Sequence, residues 1–287
     1  MVSYLLIKDD GLKMRPAGKW VIEKLDYLRR YIDTFETSMR NKYDVRFYID
    51  LLAGPGLNRI RSTNQVVMGS PLIALKTRHP FTNYIFMDND GENISALKSR
   101  CSEFGRSDLS IEFLHADCNQ IVEDVISKIK PYGGSALNLA FLDPEGMELH
   151  WDTVAKIGSI QRMDLIINYP QGAISRNIRQ LAKDHPMNAL DVYFGTTEWR
   201  GIFEKWKDAE RISGAHRDLI NLYKDKLSQL GYIDIKLDEE TGDTPLMRNA
   251  EKRAPMYRLL FASKHPLGYK FWQDITHHNV HGQISLF

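Results

Sequence analysis

Apolar residues recur at helical spacing from Trp20 through Leu25, Leu28 and Ile32 to Phe35, with charges between them. That pattern predicts one or two amphipathic helices between about Gly18 and Arg40. The rhythm then changes. VRFYID (45–50) is a short β-rich run that breaks at AGPG, so a strand should meet a tight turn there. NYIFMD (83–88), SIEFLHAD (110–117), ALNLAFLD (136–143) and MDLIINYP (163–170) are four more such runs. Helical patterns lie between them: PLIALKTR opened by Ser70-Pro71, GENISALKSR capped by Asp90, NQIVEDVISKIK ending at Pro131, and a segment near 151–160. Strands alternating with helices are the mark of a parallel sheet built from βαβ units.

Beyond Pro170 the pattern holds no convincing strand until residue 232, and 171–231 reads as several helices, interrupted near His185-Pro186 and Ser213-Gly214. YIDIKLD (232–238) and MYRLLFASKH (256–265) then read as two strands joined by a polar loop, a separation that permits an antiparallel pair. The expected organisation is an α/β protein in four parts. Residues 1–44 form an N-terminal helical extension, 45–170 an α/β core, 171–231 a helical insertion, and 232–287 the end of the core with a C-terminal segment.

Composition narrows the class. With 287 residues, 43% apolar and 26% charged, the chain can bury one large core and is neither disordered nor fibrous. No apolar run approaches the roughly 20 residues that cross a bilayer. The opening MVSYLLIKDDG is too short and too acidic for a signal peptide. Cys101 and Cys118 lie too far apart for a Cys-x-x-Cys motif and fit reduced thiols of a cytoplasmic protein. The 38 basic and 37 acidic residues give a net charge of +1, which argues against a histone-like nucleic-acid binder. The balance is uneven, however. Residues 1–83 carry 14 basic and 8 acidic side chains, whereas 84–170 carry 7 and 14. A rim of one sign and a centre of the other can still hold a polyanion, weakly and with strong salt dependence.

The chemistry is expected at the carboxyl ends of the strands, where open α/β sheets bind ligands. Four runs end on acids, Asp50, Asp88, Asp117 and Asp143, and the fifth ends near Asn168. One such carboxylate is commonly a helix cap; four at equivalent edges suggest more. In the first turn, Asp50 and Ala53 adjoin Gly54 and Gly56, which let backbone approach a ligand closely. A dinucleotide fingerprint would need Gly or Ala where Arg59 stands, so NAD is disfavoured. S-adenosylmethionine requires less, because no pyrophosphate must be cradled. Asp88, with Asp90 in reserve, would accept the ribose hydroxyls, and Asp117 the adenine amino group. The most economical reading is therefore a class I methyltransferase (Rossmann-like) seven-stranded sheet with an antiparallel last strand. Asp143-Pro144-Glu145-Gly146 falls where such enzymes present the acceptor. The Asp143 carboxylate and Pro144 carbonyl could accept both N–H groups of an exocyclic amine and aim its lone pair at the methyl group. Base-amine methyltransferases stack a flipped base on an aromatic ring at this point; Trp151 or Tyr169 would have to supply it. Asn168-Tyr169-Pro170 is the competing clamp.

The blocks YIDLLAGPG (48–56), GSPLIAL (69–75), FLDPEGMELHW (141–151), DLIINYP (164–170) and YRLLFASKHPLGYKFW (257–272), with KLDYLRRYI (24–32), make the chain resemble the three-Cys-motif partner protein family. The resemblance covers most of the chain and is weakest over 171–231. It implies a methyltransferase-like fold and a nearby-encoded partner bearing a three-cysteine motif; the cysteines belong to that partner, in line with the lack of a metal motif here. The leading expectation is an S-adenosylmethionine-dependent methyltransferase acting on nucleic acid, on a base amine in particular. The runner-up is a non-catalytic binding module with this fold, and a metal nuclease ranks last.

Smaller signals have plainer readings beside them. Residues 57–69 read as a basic loop at the mouth of the site, with Arg59 and Arg61 able to reach a phosphate, or as a solvated loop. Arg176, Arg179 and Lys183 share one helix face, which is more often solvated than bound to a nucleic-acid backbone. His277, His278 and His281 read as surface histidines, Ser263-Lys264-His265 as a notable turn, and Trp199, Phe203 and Trp206 as core or a partner-binding face.

Overall fold

A computed structural model describes residues 3–103, 109–184, 187–208, 213–233, 244–249 and 253–277. The described residues form ten strands and ten α-helices, in this order. First come β1 (Arg15–Ala17), α1 (Trp20–Met39), β2 (Val45–Asp50), β3 (Leu57–Ile60), β4 (Val66–Met68) and α2 (Ser70–Leu75). Next are β5 (Asn83–Asp88), α3 (Gly91–Glu103), β6 (Ser110–His115), α4 (Cys118–Ile129), β7 (Ala136–Leu142), α5 (Trp151–Ser159) and β8 (Met163–Tyr169). The helices α6 (Gln171–Leu181), α7 (Ala189–Phe194), α8 (Trp199–Trp206) and α9 (Ser213–Gln229) precede β9 (Leu246–Arg248), β10 (Pro255–Ala262) and α10 (Pro266–Thr276).

The main sheet has seven strands in the order β6-β5-β2-β7-β8-β10-β9. The first five are mutually parallel, and β10 runs antiparallel to both β8 and β9. The chain builds outward from β2 through β5 to β6 and then returns to β7, so strand order reverses between β2 and β7. Neighbouring strand ends diverge at that switch and leave a crevice outside the carboxyl edge. Strand alternation sorts the side chains into two cores. Ile49, Ile85, Ala140 and Ile167 face α4, α5 and the helices of 189–227, while Tyr48, Tyr84, Phe141 and Ile166 face α1, α2, α3 and α10. Burial on both faces explains why these strands are apolar at nearly every position.

Two expectations need correction. Residues 57–69 are no loop: β3 and β4 form an antiparallel hairpin, and β3 also pairs in parallel with β1. The turn closes through Asn64, whose φ of 54° lies in the left-handed region that Asn tolerates, and Val66, Val67 and Met68 are all buried. Ser70 does not cap α2. Gly69 holds that position, and Ser70 hydrogen-bonds to Asp50 instead. The strand expected at 232–238 lies, from 234 onward, outside the described residues, as do His185-Pro186, His278 and His281. On the side of β10 away from β8, the described strand is β9. Arg176, Arg179 and Lys183 are exposed, and Trp199 and Phe203 belong to the core. Both cysteines are free and buried, and burial pushes each thiol up to about 12.

Candidate functional site

The turn after β2 is built from glycines because its backbone leaves them no alternative. Gly54 has φ +63° and Gly56 φ +88°, a region that costs other residues about 1–2 kcal/mol. A Cβ on Gly54 would project into open space, whereas one on Gly56 would lie 2.8 Å from Leu97 Cδ1. The turn is tied to the end of β5: Ala53 N–H donates to the Met87 carbonyl and Gly54 N–H to Asp88 Oδ2, both at 2.8 Å. Asp88 Oδ1 accepts from Asp90 N–H at 2.9 Å and from Asn93 Nδ2 at 3.0 Å. A carboxylate has about four acceptor positions, so roughly one remains for a ligand. Asp50 lies fully buried beneath the turn, and burial raises its carboxyl to about 7.

Beside this turn is a cleft of about 480 Å³, walled by Leu52, Gly54, Asp88, Asn89, Asn93, Asp143 and Glu148 on the sheet side. Lys13 to Pro16 form its opposite wall. That N-terminal segment is held by ion pairs: Lys13 to Asp90 at 2.5 Å and Glu92 at 3.0 Å, Arg15 to Glu145 at 2.5 Å, and Asp9 to Arg59 at 2.6 Å. Arg100, itself 2% exposed, binds both oxygens of Asp10 and the carbonyls of Lys13 and Pro55.

A second, smaller pocket of about 110 Å³ adjoins the cleft and shares Arg15, Pro16, Gly54, Asp143 and Glu145 with it. Its centre is an ion pair between residues 119 positions apart, which no local pattern announces. Lys24 Nζ from α1 meets Asp143 Oδ1 at 2.5 Å and Oδ2 at 2.7 Å, with both side chains under a tenth exposed. Burial pushes the Lys24 ammonium pKa down against the pull of Asp143. Asn168 Nδ2 donates to Asp143 Oδ1 at 2.8 Å and, more loosely, to the Pro144 carbonyl at 3.3 Å. Trp20, Tyr257, Arg61 and Asn58 complete the walls.

The structure thus brings Asp143, Pro144 and Asn168 into one cluster instead of two competing clamps, next to Gly54 and within the wall that carries Asp88. It separates other candidates from the site. Asp117 caps α4, accepting from Asn119 N–H at 2.8 Å, and lines neither cavity. Trp151 packs edge-on against Tyr223 at 5.0 Å with Lys226 over its ring. Tyr169 is fully buried against Tyr193 and His216. Neither ring reaches Asp143, because strand alternation turns Tyr169 to the far core and α5 presents Trp151 to α9. The aromatic walls come from Trp20 and Tyr257 instead. Arg59 is drawn to Asp9, while Arg61 borders the smaller pocket. One signal for Lys24 was present: Lys24, Leu28, Tyr31 and Phe35 share a helix face, so a lysine sits in the apolar stripe. No group of three metal-binding side chains occurs among the described residues.

The seven-stranded sheet, with its reversal beside β2 and its antiparallel β10, has the strand order of a Rossmann-like, class I methyltransferase fold. No family model matches the chain, and no curated protein matches it. Solved structures do. Trm1 from Pyrococcus horikoshii, solved with S-adenosyl-L-methionine, is 11% identical, with 96% of this chain and 62% of that chain covered and a TM-score of 0.44. Magnesium protoporphyrin IX methyltransferase from Synechocystis PCC 6803, with bound SAM, is 10% identical, with 87% and 85% covered and a TM-score of 0.39. A putative S-adenosylmethionine-dependent methyltransferase from Methanococcus maripaludis is 13% identical, with 83% and 88% covered and a TM-score of 0.35.

Proposed function

We propose that this chain binds S-adenosylmethionine in the larger cleft and transfers its methyl group to an acceptor in the adjoining pocket. The observation that carries this reading is the junction of the two cavities at Gly54, Arg15 and Asp143. Gly54 leaves open space where a side chain would block a ligand, and Asp88 retains acceptor capacity beside it. The cofactor supplies an electrophilic methyl group. The protein's part is to hold donor and acceptor in line and to exclude water, with Lys13 to Pro16 closing over the cleft. Calorimetry with S-adenosylmethionine tests this. Wild type should bind, and Asp88→Ala and Gly54→Val should each weaken binding at least tenfold; no heat from the wild type would end the proposal.

A nucleic-acid acceptor, in particular a base amine, draws support from Arg61 at the pocket and Arg59 on the same hairpin. It requires Lys24 to leave Asp143 so that the amine can take its place. Incubation with labelled cofactor and total DNA or RNA reads this directly. The resemblance to three-Cys-motif partner proteins adds the expectation of a nearby-encoded partner, which co-expression and co-purification would reveal. One observation favours a second reading, a binding module without catalysis: Asp143 is already satisfied by Lys24 and Asn168. Under that reading Asp143→Ala, folded and cofactor-binding, leaves the cellular phenotype intact.

A further inference from the structure

The smaller pocket carries one more cationic side chain than anionic. Its ionic wall consists of Arg15, Lys24, Arg61, Asp143 and Glu145. Lys24 cancels Asp143 and Arg15 cancels Glu145. Arg61 remains, exposed and without an ion pair among the described residues. Arg15 engages Glu145 through Nε, and its two Nη groups have no hydrogen-bond partner among the described residues. The Lys24 ammonium has three N–H groups, only partly spent on Asp143. On the acceptor side, Asp143 Oδ1 takes both Lys24 and Asn168, Oδ2 takes Lys24, and the Pro144 carbonyl takes Asn168. An amine entering at Asp143 would meet a carboxylate that already takes three donor contacts, leaving Glu145 Oε2 and Asn168 Oδ1 as the open acceptors. An anionic oxygen would find donors that are free.

Size and wall chemistry narrow the ligand further. The pocket holds about 110 Å³ between Trp20 and Tyr257, less than the closed cavity of about 150 Å³ that takes benzene, but it shares five lining residues with the adjoining cleft, into which a small ring could extend. One small ring or a short chain fits that space better than a purine. We infer that the acceptor is a small carboxylic acid, its carboxylate held by Arg61, Arg15 and Lys24 and its apolar body lying against Trp20 and Tyr257. This rests on the methyl-transfer reading and replaces a base amine as the acceptor. The step balances without a base. A carboxylate lone pair forms the O–C bond to the sulfonium methyl while the C–S bond breaks and its electron pair returns to sulfur. The anion and the sulfonium are neutralised together, and no proton moves. Asp143 then acts as a positioning residue that fixes Lys24.

The test titrates benzoate, benzamide and benzylamine into the full chain, with and without saturating S-adenosylhomocysteine. Benzoate should bind at least tenfold more tightly than its neutral and cationic analogues. Arg61→Gln, a change at an exposed side chain, should weaken benzoate at least fivefold; Lys24→Gln should weaken it further. Benzylamine binding as tightly as benzoate, no benzoate binding in either condition, or unchanged affinity in Arg61→Gln would overturn the inference. Benzoate bound without any binding of S-adenosylhomocysteine leaves the anion pocket standing and removes the cofactor reading. Cofactor bound without benzoate does the reverse.

Discussion

Replacing Lys24 by Met keeps the length of the side chain and removes its charge, which strands Asp143 in a site where it is 8% exposed. Breaking a buried pair from one side costs about 3–5 kcal/mol, because the remaining ion keeps its desolvation penalty and loses its attraction. Asn168 still donates to Asp143 at 2.8 Å and Arg15 lies in the same wall, so the expected loss sits near the lower bound. Asp143→Asn strands the ammonium beside the Arg15 guanidinium and should cost about 4 kcal/mol. The double variant should cost less than the two single losses together by about 2–3 kcal/mol, the coupling expected of partners in direct contact. Urea unfolding followed by tryptophan fluorescence measures all four corners of the cycle. A coupling below about 0.5 kcal/mol, the level found for independent sites, would refute the claim that this pair is a buried, mutually dependent unit.

Further outcomes follow from the same geometry. Asp50 carries a carboxyl raised from 3.8 to about 7, so the folded state holds a proton there that the unfolded chain has lost. Its contribution is fully present below about pH 4 and is lost as pH rises toward 7, an effect on the order of 4 kcal/mol. Asp50→Asn should flatten that slope in denaturation midpoints taken from pH 4 to 8, and an unchanged slope would count against the raised carboxyl. Gly56→Ala forces φ +88° on alanine and drives its Cβ to 2.8 Å from Leu97 Cδ1; a loss of about 2 kcal/mol or more is expected, measurable by thermal unfolding. Trp151→Ala removes a partly buried ring from the contact with Tyr223 and should cost about 2–3 kcal/mol, below the value for a fully buried ring. Because Trp151 lines neither cavity, calorimetric affinity for S-adenosylmethionine should stay within twofold.

What could be read along the chain is what local forces decide. The strands announce themselves as apolar runs because both faces of a parallel sheet are covered, and Gly54 and Gly56 mark a turn whose backbone angles other residues resist. The alternation of strands with helices was enough to expect a parallel sheet, and with it the carboxyl edge where Asp88 and Asp143 would stand. Asp117 caps α4, but the same residue types serve caps and ligand sites, and sequence could not separate the two. The state of Asp143 was settled elsewhere. Its partner Lys24 lies 119 residues away, and its other donor, Asn168, lies 25 away on the next strand. Only packing α1 over the carboxyl edge of the sheet brings an ammonium to that carboxylate. The same packing sets Trp20 and Tyr257, and not Trp151 or Tyr169, beside it, because which face of an element meets the cleft depends on neighbours remote in sequence. Sequence determined that a carboxylate would stand at the end of β7; tertiary structure decided that it stands there already paired.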